Sequence, residues 1–131
     1  MHVTPTTNPL RRNNVTVTGN PDGPFMMFAH GFGCSGASWD LVAPAFERDH
    51  RVVLFDHVGA GASDVSTYDR GKYDSLDGYA DDILEILDAL DAQDVIFVGH
   101  SVSAMIGVLA VNDDPWRYAG LVLLTPSPPG R

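Results

Sequence analysis

The chain has 131 residues, of which 44% are apolar and 19% charged, and its formal net charge at pH 7 is −9. This length and apolar share fit one domain with a hydrophobic core, and the acidic balance argues against binding to nucleic acid or to an anionic membrane. The single cysteine, Cys34, excludes an internal disulfide.

Membrane and secretion signals are not visible in the sequence. The longest apolar stretches are far shorter than the roughly 18 residues that cross a bilayer. Residues 1–14 hold Arg11 and Arg12 among polar side chains and lack the apolar core of a signal peptide. The sequence therefore predicts a cytoplasmic protein that begins with an irregular tail at residues 1–14.

The first half of the remaining chain reads as strands separated by turn-rich loops. Residues 15–18 alternate like a strand and are followed by a run of turn formers. Residues 25–29 are apolar throughout, as expected for a strand buried on both faces, and a glycine-rich loop follows at residues 30–36. Apolar side chains recur at near-helical spacing over residues 39–46. A second buried strand is predicted at residues 52–55.

The second half continues the alternation of helices and strands. A loop with two glycines and a serine occupies residues 59–64. Residues 76–90 place their apolar side chains on one stripe of a helix. A buried strand at residues 95–98 is followed by an apolar helix at residues 104–111, and a last strand is predicted at residues 121–124.

Strands that alternate with helices over this length predict βαβ units. The expected class is α/β, a three-layer sandwich in which helices cover a mostly parallel sheet. We predict that residues 15–131 form the N-terminal portion of one such domain, and no second domain or internal repeat is expected.

The strand that ends before Gly99 leads directly into the sequence Gly-His-Ser-Val-Ser and then into a helix. A serine on a sharp strand-to-helix turn is the setting of a nucleophile elbow, and small residues are needed two positions away from it. Gly99 meets this need, and Ser103 stands where the usual pattern has a second glycine. The pattern makes Ser101 a candidate nucleophile. The alternative is that Ser101 only caps the helix, since serine is a preferred N-cap residue.

An acyl-transfer serine also needs backbone N–H groups aimed at the developing oxyanion. Val102 would supply one, and the loop that follows the strand at residues 25–29 would supply the other, with Phe32 the candidate donor. The same loop reads G-x-G-x-x-G, and Asp56 follows about 20 residues later, so a dinucleotide site is an alternative from spacing alone. A phosphate loop of the G-x-x-x-x-G-K-[ST] type is not present.

The identity of these residues resembles one family. The stretches HGFGC, FDHVGAGASD, LDGY and VGHSVSAMIG begin at His30, Phe55, Leu76 and Val98. They are similar to the α/β-hydrolase group that contains the bacterial sigma-B stress-response regulatory hydrolase and the plant karrikin and strigolactone receptors. The resemblance extends from about residue 13 to residue 127. It implies that Ser101 is the nucleophile and that the amides of Phe32 and Val102 form the oxyanion hole.

The resemblance also implies parts that this sequence does not contain. The group carries its triad Asp and His in the second half of the chain, after a helical lid, so the sequence is expected to be an N-terminal half that stops before the lid and the last strands. None of the five histidines offers an obvious substitute, and each is expected to have a local structural or solvated role. Activity is therefore expected to be weak or absent in this short form.

The expected ligand is a small ester or lactone, and neither a cofactor nor a metal is predicted. The apolar strand from Leu121 to Leu124 would lie at the sheet edge, where it is expected to pair with a second copy or a complementing fragment. The alternative functions are a non-catalytic small-molecule sensing or regulatory partner-binding module, and a fragment without independent function.

Overall fold

A five-stranded sheet lies at the centre of the computed structural model, which describes residues 7–125. Its strands are β1 (Thr16–Gly19), β2 (Phe25–Ala29), β3 (Arg51–Leu54), β4 (Val95–His100) and β5 (Tyr118–Leu124). They are ordered β1-β3-β2-β4-β5. β1 runs antiparallel to β3 and the other neighbouring pairs are parallel. The predicted α/β class with a mostly parallel sheet is confirmed.

The helices are α1 (Pro9–Arg12), α2 (Leu76–Ala89) and α3 (Val102–Asp113). Short 3-10 helices occupy Gly36–Trp39, Ala43–Phe46, Val65–Thr67 and Pro115–Arg117. The N-terminus of α2 is capped by Ser75, whose side chain accepts a hydrogen bond from the N–H of Asp77. Within residues 7–125, no helix is both long and apolar enough to cross a membrane.

The two faces of the sheet are covered differently. On one face α2 and α3 pack over the sheet, and Met27, Phe97 and Ile106 lie in that core. On the other face Phe28 packs against Trp39 beneath the two 3-10 helices between β2 and β3. The structure thus has the three layers that the sequence predicts.

Residues 39–46 do not form the single helix that the spacing of their apolar side chains indicates. They form parts of two separate 3-10 helices, and Pro44 lies in the first turn of the second one. A proline has no N–H to continue an α-helix from the preceding turn. This explains why the apolar spacing does not become one continuous helix.

The predicted irregular tail needs correction where the structure describes it. Pro9–Arg12 forms a helical turn capped by Asn8, and Arg12 and Asn13 are buried. Arg12 reaches across to α2, where it forms an ion pair with Asp82 at 3.0 Å. Residues 1–6 lie outside the described part of the chain.

Candidate active site

Ser101 occupies the single residue between β4 and α3. Its backbone angles are φ 59° and ψ −123°, in a region that residues other than glycine rarely adopt and that is typical of strained functional turns. An N-cap serine normally has extended angles and accepts a hydrogen bond from an N–H of the first turn. Ser101 does neither. The interpretation of Ser101 as a simple helix cap is therefore not supported by the structure.

Two glycines make this sharp turn possible. A Cβ atom on Gly99 would lie 2.5 Å from the carbonyl oxygen of Ser103, so a larger residue cannot fit without moving the backbone. A Cβ atom on Gly31 would lie 3.3 Å from the Cβ of Ser101 and 3.2 Å from the Nδ1 of His100. The loop after β2 therefore lies directly against the candidate nucleophile, as the sequence predicts.

The two candidate oxyanion donors both have free backbone amides. Among residues 7–125, neither the N–H of Phe32 nor that of Val102 donates a hydrogen bond to another residue. Val102 is the first residue of α3, where N–H groups have no partner within the helix. The positive end of the helix dipole also lies there, close to Ser101. Both amides are thus available to an oxyanion.

A buried hydrogen-bond network lies beneath the loop that carries Phe32. The ring of His57 contacts Ser103 (Nε2 to Oγ, 2.7 Å), and the Ser103 hydroxyl donates to the carbonyl oxygen of His30. The N–H of His57 donates to Nε2 of His30 at 3.0 Å, and Nδ1 of His30 lies 2.7 Å from the carbonyl oxygen of Gly31. The sequence predicts a local structural or solvated role for each histidine; both are buried, and the sequence gives no sign that they are linked.

Burial is the main influence on the charge of these histidines. It lowers the pKa of His57 from the usual 6.5 to about 3, with a further contribution from His30, and it also lowers the pKa of His30. Both rings are therefore neutral near pH 7.

We expect the free energy of unfolding to fall as the pH is lowered from 6.5 towards 4. In this window His57 takes up a proton in the unfolded chain but not in the folded one, so each pH unit costs about 1.4 kcal/mol for one proton. The His57→Gln variant keeps a donor near Ser103 and removes this titration. Urea unfolding at several pH values should give a shallower slope for the variant, and equal slopes would contradict the assignment. The nearby Asp56 has a lowered pKa in the folded chain. The stability that this gives is lost only as the pH falls below about 3.9, so Asp56 does not account for a slope between pH 6.5 and 4.

Asp56 holds the loops around the site together. One carboxylate oxygen accepts from the N–H of Gly36 at 2.6 Å. The other accepts from the N–H of Ala62 at 2.9 Å and from the side chain of Asn14 at 3.0 Å. These bonds lower the pKa of Asp56 against the opposing effect of burial, which is the largest single influence. Since both oxygens are engaged, Asp56 is not free to bind a ribose, and the dinucleotide alternative loses its acidic residue.

A cavity of about 240 Å³ adjoins the loop that carries Phe32. Its walls include the aromatic rings of Phe32, Tyr68 and Tyr79 and the ring of His57. The ring of Phe32 packs 5.4 Å from that of Tyr79, centroid to centroid. No cluster of three or more metal-ligating side chains occurs among residues 7–125.

A sharply turned serine that follows a central parallel strand and leads directly into a helix is typical of one class of fold. Residues 24–130 match the family described as alpha/beta hydrolase fold. The chain belongs to this family.

Individual relatives are similar over most of the chain. Strigolactone esterase D14 of Arabidopsis thaliana is 43% identical over 121 residues, which are 92% of this chain and 45% of the relative. The karrikin insensitive 2 receptor CA of Petunia hybrida is 39% identical over 88% of this chain and 43% of its own.

Two solved structures of hydrolytic or lactone-degrading enzymes are similar to most of this chain. A hydrolase from Oleispira antarctica has a TM-score of 0.88 and 39% identity over 92% of this chain and 44% of its own. Est816, described as an N-acyl homoserine lactone degrading enzyme, has a TM-score of 0.75 and 31% identity over 86% of this chain and 41% of its own. The chain thus spans less than half the length of these proteins. The domain boundaries and the cytoplasmic location stay predictions.

Proposed function

We propose that this chain carries the nucleophile and the oxyanion hole of a serine hydrolase that acts on small esters or lactones. The observation that carries the proposal is the strained backbone of Ser101, which has positive φ and makes no cap hydrogen bond. The free amides of Phe32 and Val102 support it. Small esters and lactones are favoured as ligands because one relative is named a strigolactone esterase and another is described as a lactone degrading enzyme.

The proposed reaction begins when the Oγ of Ser101 attacks the carbonyl carbon. The carbonyl oxygen becomes an oxyanion, which accepts hydrogen bonds from the N–H groups of Phe32 and Val102. Collapse of this intermediate breaks the ester bond and releases the alcohol, which takes a proton. Attack of water on the acylated Ser101 then releases the acid and restores the hydroxyl.

The proton of Ser101 needs an acceptor, since a serine hydroxyl is a weak nucleophile without an adjacent base. Neither His30 nor His57 suits this role. Both ring nitrogens of His30 are engaged in the buried network, and burial lowers the pKa of His57 to about 3, which makes its ring a weak base. The relatives are more than twice as long as the part matched here. We therefore propose that the base and the acid lie outside this sequence. Sites that lack triad members keep about 10³- to 10⁴-fold acceleration over water, so we expect slow acylation by this chain.

Labelling with a fluorophosphonate probe tests this proposal. We expect slow labelling of the 131-residue chain and none of the Ser101→Ala variant. The Ser38→Ala variant is the matched control, because it removes the hydroxyl of an exposed serine elsewhere in the same fold. Labelling that persists in Ser101→Ala, or none in the native chain after long incubation, would contradict the proposal.

A second candidate function is small-molecule sensing or regulatory partner binding without turnover. It is favoured by the relatives that are named as karrikin insensitive 2 receptors. Thermal stabilisation of the Ser101→Ala variant by a butenolide, together with no labelling of the native chain, would support this function over hydrolysis. No stabilisation would count against it.

We also propose that β5 pairs with a further strand, either from a complementing segment or from a second copy. Among the described residues β5 has one paired neighbour, β4. Val122, Leu123 and Leu124 are 41%, 42% and 40% exposed, so apolar side chains are exposed along an open sheet edge. Such edges pair readily with other chains.

For the chain alone we expect an apparent mass above that of a monomer in size-exclusion chromatography with light scattering. The Leu123→Lys variant should shift the chain towards the monomer, because charge on an edge strand opposes pairing. A stable monomer of the native chain at all concentrations would contradict self-association and would leave a complementing segment as the proposed partner.

A further inference from the structure

The buried network beneath the Phe32 loop has only one consistent direction of hydrogen bonding. The hydroxyl proton of Ser103 is donated to the carbonyl oxygen of His30, so the close contact between Ser103 and His57 must use a proton on Nε2 of His57. Nδ1 of His57 then carries no proton, and its lone pair has no hydrogen-bond partner among the described residues.

The same reasoning fixes the tautomer of His30. Its Nε2 accepts a hydrogen bond from the N–H of His57, so this nitrogen carries no proton. Its Nδ1 lies 2.7 Å from the carbonyl oxygen of Gly31, which can only accept. Neutral His30 therefore carries its proton on Nδ1 and donates it to Gly31.

This last bond acts on the candidate oxyanion hole. The C=O of Gly31 and the N–H of Phe32 belong to one planar trans peptide, in which they point in opposite directions. The carbonyl oxygen also accepts from the N–H of Cys34 at 3.1 Å, so the two hydrogen bonds together fix the direction of the Phe32 N–H. The bond from His30 is the shorter of the two, and it also polarises the peptide, which strengthens the N–H as a donor.

We propose that His30 is a positioning residue that orients the Phe32 amide, and that His57 and Ser103 hold His30 in the tautomer this requires. The inference rests on the proposed function only where it concerns reactivity. Ser103 lies in the first turn of α3, two residues after Ser101, so its bond to the His30 backbone ties the loop of the proposed oxyanion hole to the helix that follows Ser101.

The ring nitrogens report this arrangement without any activity. We expect ¹⁵N NMR of the histidine side chains near pH 7 to show the proton on Nδ1 of His30 and on Nε2 of His57. The opposite tautomer at His30 would overturn the inference, since Nδ1 could not then donate to Gly31. This outcome does not depend on whether Ser101 reacts.

Variants test the effect on the amide. The His30→Asn variant keeps a short side-chain N–H that can reach Gly31, whereas His30→Leu removes the donor. We expect the Phe32 amide resonance to move strongly in His30→Leu and to stay closer to the native position in His30→Asn. If both variants shift the resonance equally, His30 has only a packing role. If His30→Leu does not fold by circular dichroism, the Ser103 variant below decides.

The Ser103→Ala variant removes the link between the helix and the loop. Its matched control is Ser63→Ala, since Ser63 is also buried but its hydroxyl accepts from Gly59. We expect the maximal rate of fluorophosphonate labelling to fall about tenfold in Ser103→Ala with probe affinity preserved, and little change in the control. Equal effects in the two variants, or a loss confined to affinity, would overturn the inference. Absence of labelling in the native chain would refute the proposed function, and the Phe32 resonance would then decide this inference.

Discussion

The Gly99→Ala variant is expected to lose Ser101-dependent labelling and to be destabilised by about 3 kcal/mol. The added methyl group would lie 2.5 Å from the carbonyl oxygen and 2.8 Å from the carbonyl carbon of Ser103. Both are backbone atoms in the first turn of α3, so relief requires a shift of the strand-to-helix turn itself. Such a shift would move Ser101 away from the amides that we propose it uses.

The Gly120→Ala variant is the matched control for this change. Gly120 lies in the neighbouring strand β5, and a Cβ atom there would meet nothing within 4 Å. We expect its midpoint in urea unfolding and its labelling rate to remain close to native values. A Gly99→Ala variant as stable and as reactive as Gly120→Ala would show that the turn is less tightly constrained than the structure indicates.

The Asp82→Ala variant is expected to lower the free energy of unfolding by about 3–5 kcal/mol. Asp82 is 1% exposed, and its carboxylate contacts Arg12 at 3.0 Å, Lys72 at 2.6 Å and the hydroxyl of Tyr73 at 2.7 Å. Without the Asp82 carboxylate, less negative charge would balance the buried Arg12 guanidinium, and the Tyr73 hydroxyl would lose its hydrogen-bond acceptor. The effect is large because three separate segments meet at this one side chain.

Chemical denaturation with urea measures this loss. The Asp81→Ala variant is the control, since Asp81 precedes Asp82 in α2 and is exposed. Exposed substitutions of this kind usually change stability by less than about 0.5 kcal/mol. If Asp82→Ala costs no more than Asp81→Ala, the cluster does not hold the N-terminal segment to the helix.

The central strands β2, β3 and β4 were predictable because most of their residues are buried and apolar. The strand β2 reads Phe-Met-Met-Phe-Ala, and its bounds agree with the prediction. The helix α2 ends at Ala89, one residue before the predicted end. The prediction was this close because the apolar stripe of the helix is regular. The turn at Ser101 could be predicted from Gly99 and from the direct succession of strand and helix.

Other features depend on partners that are distant in sequence. The helical turn that ends at Arg12 has no apolar periodicity, and its burial depends on Asp82, 70 residues further on. The link between Ser103 and the His30 backbone joins residues 73 apart. Sequence patterns report local spacing, so they do not indicate which of these side chains meet.

The orientation of the Phe32 amide likewise could not be predicted from the sequence. The glycines of the loop predicted that a backbone N–H could turn inwards, and Phe32 was the candidate. The hydrogen bond from His30 to Gly31, one of two that hold this peptide, involves adjacent residues and has no sequence signature of its own. The signal that could have drawn attention to it is the pair of histidines, His30 and His57, at the ends of neighbouring parallel strands.

The most direct test of the proposed site is the ¹H–¹⁵N spectrum of the chain before and after reaction with a fluorophosphonate. The phosphoryl oxygen of an adduct on Ser101 would take the place of the oxyanion. We predict a single adduct on Ser101, with downfield shifts of both the Phe32 and the Val102 amide protons. An adduct on Ser101 that leaves both amides unmoved, or an adduct at another residue, would contradict the account.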